Sequence, residues 1–384
     1  MDQRLPLPEA RREAAPSPAM SGGRSAIRLV AERKLALDLD GADAPAEWRE
    51  ALDGLAASHR LAVDLAATPA PRAGGLRHMA RWAAGAGQAP AAPVFAPWQG
   101  FAPACLQNPL LRAALPQAQW LAGYLFDPDV ARSGVAGGSL DVMLASPHPA
   151  ACLQDDACHT ALPRKAVLDP MIAAVRAEQR ERLAIIVPAR ARSAVAQRLL
   201  SADRALRQGD IAIEIIAIEE AIGRLVRCAD SWDAIIVLPE LRGIIAAVLA
   251  EVSGIAGPWP LLWFDGGLAR ASSEVLRETA SPLPLDAAVL MQGLALAARC
   301  GGHGDAAQRL AHSWTRLRDS GVATTSRRSS SPYGKQLDDA AFVMLASADQ
   351  PIRGGRPLPV WRALGLPQGN QALPSPVALS LVRP

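Results

Sequence analysis

Between Leu168 and Gly257 the chain alternates helical and β-branched runs without a break, and this alternation constrains the fold more than any other feature. Leu168 to Glu181 repeats apolar residues at helical spacing, with Met171, Ile172 and Val175 on one face. Leu183 to Val187 is a buried-strand run stopped by Pro188, and Ser193 to Gln208 is helical again. Ile211 to Ile218 is a β-branched strand and Glu219 to Cys228 a helix. Asp233 to Gly257 then compresses a whole unit. Ala234 to Leu238 has the length and composition of a buried strand, Pro239, Glu240 and Gly243 punctuate it, and Ile244 to Val252 is helical up to a Ser253-Gly254 stop. Helices alternating with strands predict an α/β domain with a substantial sheet. In such folds ligands gather at the carboxyl ends of strands, which directs attention to Glu240 to Val248.

The flanking sequence is less regular. Residues 1–25 are rich in Pro, Arg, Ala and Ser and have the composition of a disordered leader. Two short apolar runs within 26–40 predict a first strand or hairpin, Ala46 to His59 a helix with Trp48, Leu52 and Leu55 on one face, and Leu61 to Leu65 a strand. Leu76 to Ala84 and Asn108 to Leu115 have short helical spacing, and Ser139 to Ser146 is a strand that stops at Pro147-His148-Pro149. Further on come a strand over Pro260 to Phe264, helices over Leu285 to Cys300 and Asp305 to Ser320, a Ser/Thr/Arg loop over 321–335, and a helix over Leu337 to Ala346. Residues 351–384 carry many prolines and no period.

Composition removes several function classes. Half of the 384 residues are hydrophobic and 20% are charged, enough for a sizeable core in one large or two ordinary domains. Forty basic residues face 37 acidic ones, a balance that is no nucleic-acid footprint. Five scattered cysteines argue against a disulfide framework and fit a reducing cytoplasm. No apolar run reaches the length of a transmembrane helix without a charge or proline, and the first residues lack the apolar segment of a secretory signal.

The order of elements from about 108 to 346 resembles the isopropylmalate/isocitrate dehydrogenase family. The resemblance rests on four stretches. PLPLDAAVLMQGLALAARCGGHGDAAQRLAHSWTRLRDSGVAT, Pro282 to Thr324, resembles the family's Asn-Pro helix, the next helix and the strand-leading Gly-x-x-Thr. SSSPYGKQLDDAAF resembles its last loop and helix, and SLDVMLAS the strand that carries a substrate arginine. DAIIVLPELRGIIAAVLAEVSG resembles the metal-binding signature with its trailing helix. The resemblance implies an isopropylmalate dehydrogenase-like α/β fold of two lobes and three layers with a large mixed sheet. It implies an outer lobe from 26–117 plus 257–350, a middle lobe at 118–256 through which a homodimer forms, and a proline-rich tail after 350.

It also implies where chemistry should lie, and there the sequence departs from the pattern. Family members oxidise and decarboxylate a 2-hydroxy acid with NAD(P) and Mg or Mn, the metal held by two carboxylates of the signature helix and one from a partner subunit. The helix positions fall on Ile244 and Val248, which offer a hard cation no oxygen. The cross-subunit position falls near Glu219 and keeps an acid. The acid–base lysine position is Pro188, the strand arginine position is Ser146, and no tyrosine stands near 151–153. Arg112 is the one substrate arginine retained. For the nucleotide, FDGGLARASSEVLRE is the expected cofactor loop, with Arg270 at the histidine position, Gly266, Gly267 and Ser272 as binding candidates, and Leu283 in place of Asn before a retained Pro284.

Apart from the resemblance, Cys152, Cys158 and His159 are the one cluster of metal-capable side chains; their spacing matches no zinc pattern and reads as an exposed polar loop. His303 falls in a glycine-rich turn and His312 at the edge of a helical core. Ser326 to Ser331 combines two arginines with hydroxyls, the composition of an anion-binding loop and equally of a basic surface loop. The expectation is therefore a diverged dehydrogenase-like protein without its metal-dependent chemistry, needing no cofactor and serving a binding, structural or regulatory role, with a small anionic ligand retained. The alternative is an active NAD(P)- and Mg/Mn-dependent dehydrogenase with relocated groups, for which Asp233, Glu240 and Glu251 are the nearest carboxylates.

Overall fold

Strands buried on both faces need apolar residues at every position, and Leu183 to Val187 and Ala234 to Leu238 supply them. Successive residues enter two separate cores: Leu183, Ile185, Val187, Ala234 and Ile236 face one, Ala184, Ile186, Ile235 and Val237 the other. The computed structural model that shows this describes residues 25–32, 46–68, 94–95, 119–132, 135–200, 211–254, 259–265, 268–274, 287–300, 302–324, 334–348 and 360–365.

In chain order, β1 (Ser25–Glu32), α1 (Ala46–Ser58), β2 (Leu61–Thr68), β3 (Val94–Phe95), β4 (Trp120–Arg132) and β5 (Val135–Pro147) come first. A separate hairpin of β6 (Cys152–Asp155) and β7 (Thr160–Pro163) follows. Then come α2 (Lys165–Ala177), β8 (Arg182–Val187), α3 (Arg192–Leu200), β9 (Ala212–Ala217), α4 (Ile218–Arg227), β10 (Ala234–Val237) and α5 (Pro239–Ser253). The last elements are β11 (Trp259–Asp265), β12 (Leu268–Glu274), α6 (Ala287–Cys300), α7 (Gly304–Asp319), β13 (Val322–Thr324), β14 (Lys335–Leu337) and α8 (Asp339–Ser347).

Ten strands form one mixed sheet in the order β2-β1-β3-β12-β11-β4-β5-β10-β8-β9. The strands β5, β10, β8 and β9 run parallel, as the alternation predicts, and β11, β4 and β5 join them antiparallel to the far flank. Residues of α1, α2, α3, α6, α7 and α8 share one core with the sheet, and α4 and α5 cover its other face. This is the expected three-layer α/β fold with a large mixed sheet. Among the described residues no helix is long and apolar enough to cross a membrane.

Several local expectations change. Helix α2 begins three residues before Leu168 and ends at Ala177, not Glu181. Gln179 adopts φ +53°, which turns the chain out of the helix and sends Glu178 and Arg180 inward on either side of it. Where a loop was expected, much of FDGGLARASSE is strand: β11 and β12 pair antiparallel, with Leu261 opposite Ser272 and Trp263 opposite Arg270. A polar strand without apolar alternation gives no period to detect. The Cys152 to His159 segment is a hairpin whose Cys158 is buried, because Asp155 Oδ1 accepts from the Ala157 and Cys158 amides and folds the turn inward. His312 is exposed rather than at the core edge, since α7 turns Leu310, Ala311 and Trp314 inward instead. The Gly254 stop holds as read, in the left-handed conformation at φ 70° that glycine adopts without a Cβ penalty.

At the amino-terminal edge of the parallel strands lies a polar cluster that periodicity could not reveal. Buried Arg180 donates Nε to Glu178 Oε2 (2.8 Å), Nη2 to Asp141 Oδ1 (3.0 Å) and Nη1 to the Asp233 carbonyl (2.7 Å). Glu178 Oε1 also accepts from Tyr124 Oη (2.8 Å) and Arg299 Nη1 (3.1 Å). Arg362 completes the set, its backbone N–H donating to Asp141 Oδ2 (2.9 Å) and its guanidinium to Asp233 Oδ2. Three carboxylates thus meet three guanidiniums. Burial pushes the Asp141 carboxyl upward against the pull of Arg180. It also opposes the charge on Arg180, but Asp141 and Glu178 outweigh it and hold the guanidinium firmly protonated. Replacing Arg180 by Ala strands Glu178 and Asp141, and the expected cost is about 3–5 kcal/mol, read from urea denaturation of Arg180→Ala against the parent.

Candidate functional site

The carboxyl ends of β5, β10, β8 and β9 lie side by side, and the residue types that follow each strand decide what that edge can bind. After β5 comes His148, buried, its Nδ1 accepting from the Ala150 amide at 3.2 Å. After β10, Pro239 opens α5 at a position where its missing N–H costs nothing, and Glu240 follows in the first turn. After β8, a 3-10 turn over Ala189–Ala191 presents Arg190, whose Nε donates to Thr160 Oγ1 at 3.1 Å. After β9, α4 opens with Glu219 and Glu220. Neither α4 nor α5 has a side-chain N-cap, so acidic first turns answer the positive end of each helix dipole.

Because β8 stands between β10 and β9, the strand ends leading to Glu240 and Glu219 are two strand spacings apart, roughly 10 Å, and the turn carrying Arg190 follows the strand between them. Partial burial raises the Glu240 carboxyl above the ordinary glutamate range, and the nearby Arg190 guanidinium acts against that rise. Glu219 is exposed. Arg242, one turn into α5, is buried and donates Nη1 to the Leu144 carbonyl at 2.9 Å, tying the helix to β5.

Glu240, Ile244 and Val248 form one i, i+4, i+8 row along α5. Only the first offers oxygen. Ile244 is 48% exposed, and Val248 packs partly against the core shared by α4 and α5. A hard divalent cation takes at least six oxygens, and this row does not fit one. Among the described residues no group of three or more His, Cys, Asp or Glu side chains is arranged to hold a metal ion. Asp233 is drawn away from this edge altogether: it accepts from the Glu181 and Arg182 amides at the opposite end of β8. Glu251 is exposed near the far end of α5.

The nucleotide candidates are only partly described. Ser272 lies within β12; Arg112, Gly266, Gly267 and Pro284 lie outside the described residues, as does the Ser326 to Ser331 loop. Glu219 and Glu240 stand at the carboxyl ends of β9 and β10, and Arg190, Thr160 and His148 join that edge with no motif in the sequence to announce them. Pro188 was the only signal for Arg190, since a proline ending a buried strand marks the turn that presents it.

No family model matches the chain, and no curated protein matches its sequence. Solved structures do match in shape. Isocitrate dehydrogenase from Methylococcus capsulatus superposes with a TM-score of 0.55 at 10% identity, covering 84% of this chain and 98% of that one. The TT0538 protein from Thermus thermophilus gives 0.54 at 13% identity, covering 94% and 73%. At these identities the likeness establishes the fold, an isocitrate dehydrogenase-like α/β architecture.

The Glu240–Arg190 arrangement makes a direct expectation. In a carbon-detected NMR titration, Glu240 should protonate above the other exposed glutamates. Arg190→Ala should move its midpoint higher still, because the cation that favours the carboxylate is gone.

Proposed function

We infer that this chain is a diverged protein of the isopropylmalate/isocitrate dehydrogenase fold that has lost metal-dependent oxidative decarboxylation and serves a binding, structural or regulatory role. The observation that carries this reading is the aliphatic pair Ile244 and Val248 on α5, where the fold's metal ligands would stand. Metal ions and general acid–base groups each contribute several kcal/mol to lowering the barrier, so losing the carboxylate pair together with the lysine and tyrosine positions removes many orders of magnitude in rate. What remains at the carboxyl edge, Arg190 beside Thr160, suits a small anion held by one guanidinium and a hydroxyl.

A second reading keeps the chain an NAD(P)- and Mg/Mn-dependent dehydrogenase with relocated groups. The observation in its favour is Glu240, whose raised carboxyl beside Arg190 has the electrostatic character of a proton-transfer group. Thermal unfolding separates the two. Under the first reading Mn²⁺ and NADH, together at millimolar concentration, leave Tm within about 1 °C of the unliganded protein. A larger joint stabilisation, with turnover of a 2-hydroxy acid, overturns it.

The partner in this reading is a second copy, meeting through the helices on the middle of the sheet. Ile244 on α5 and Val226 on α4 are 48% and 58% exposed, large apolar side chains on the two helices that cover this face of the sheet. Light scattering should give the mass of two chains, and Ile244→Glu should reduce it to one with the circular dichroism unchanged. A parent that runs as a single chain refutes the dimer.

A further inference from the structure

Among the described residues, the pocket that holds residues 360–365 is assembled from chain that precedes them. Asp233 has both carboxylate oxygens fixed, Oδ2 by the Glu181 amide (2.9 Å) and Oδ1 by the Arg182 amide (2.8 Å). Asp141 is held by Arg180, which is itself anchored on Glu178. Tyr124 and Phe126, adjacent on one face of β4 and almost fully buried, supply aromatic walls. Without Arg362, the three carboxylates here face, among the described residues, the guanidiniums of Arg180 and Arg299 alone. Fixed carboxylates, ring faces and an unbalanced negative charge are the chemistry that recognises an aromatic residue followed by arginine.

Residues 361–362 supply that pair. Trp361, 3% exposed, stacks on Phe126 at 5.2 Å and 9° and meets Tyr124 edge-on at 6.2 Å. Arg362 reaches both carboxylates, Asp141 through its backbone and Asp233 through its side chain. Ala363 and Leu364 follow into the core. The seam is not fully matched. Among the described residues the Trp361 indole N–H has no acceptor, and Oε1 of buried Gln292, whose Nε2 donates to the Phe126 carbonyl, has no donor. Unmet donors and acceptors are rare in a permanently fused core and commoner where two surfaces meet.

We propose that the base of the sheet is a preformed receptor for an aromatic–arginine peptide, occupied in cis by Trp361–Arg362, and that this strap can leave and rebind while the rest of the fold stands. The receptor's carboxylates are held by Arg180 and by backbone amides whether or not the strap is docked, so vacating it leaves an organised site for the same peptide chemistry supplied in trans.

A protease recognition sequence introduced between residues 350 and 358 lets the full chain fold before it is cut. After the cut, a fluorescein-labelled synthetic peptide spanning Arg356 to Gln368 is added and its polarisation followed. The expected result is exchange of the labelled peptide for the cut strap with the circular dichroism unchanged. Unlabelled peptide carrying Arg362→Ala or Trp361→Ala should compete at least tenfold more weakly than the parent peptide. Unfolding on cleavage, a folded protein that takes up no peptide, or competition indifferent to both substitutions overturns the proposal.

Discussion

Everything at the amino-terminal edge of the sheet depends on keeping the Arg180 guanidinium buried and matched. A charge of that size taken out of water costs several kcal/mol, recovered only where each N–H finds an acceptor and the neighbouring charges balance. Arg180 meets that condition by drawing on separate parts of the chain: Asp141 from β5, Glu178 from the end of α2, and the carbonyl that precedes β10. Those acceptors fix how α2 leaves its helix and how β10 enters the sheet. Glu178 in turn recruits Tyr124 of β4 and Arg299 at the end of α6, so the same set of contacts binds the helical layer to the sheet. Burial raises Tyr124 well above the ordinary tyrosine range, with Glu178 adding to the effect, and the phenol stays a neutral donor.

The two edges of the parallel strands therefore carry different burdens. The amino edge is densely paired and closed, whereas the carboxyl edge, where such folds place their ligands, presents Arg190, Glu219 and Glu240 on turns and first helical turns. An architecture of this kind can lose a metal centre without losing its fold. The Glu240, Ile244 and Val248 row on α5 lies on an outward stripe, while Ile245, Ala246, Leu249 and buried Arg242 hold the helix from its other side. Ile244 and Val248 put no charge on that stripe, and the inward contacts of the helix do not depend on them.

What the sequence made legible follows from how local each signal is. The β8 to α5 region could be read element by element because β8 and β10 are buried on both faces and β9 is strongly β-branched. Of the β11–β12 pair only β11 could be read, because Ala269 to Ser273 alternates nothing strongly apolar and the pairing of β12 is set by the neighbouring strand. The basal ion cluster was hidden for a different reason: its members stand at 141, 178, 180, 233, 299 and 362, and no spacing rule joins residues so far apart. Trp361 sits among prolines with no period, and only its docking against Phe126 gives it meaning. At the carboxyl edge the acids were legible from their strand-end positions, whereas Arg190 and Thr160 meet only after the β6–β7 hairpin folds back toward β8.

The Asp141–Arg362 contact also bears on the time course of folding, since its two residues are separated by 221 positions. Contacts of such long range form late, after the entropy of closing the intervening loop has been overcome. During synthesis the β4–β5 hairpin and the β8–β10 strands emerge well before residue 362 does. The nascent chain must then hold three buried carboxylates against two arginines until the last charge arrives. In that order of emergence, the stacking of Trp361 on Phe126 is among the last contacts that the base of the sheet can gain.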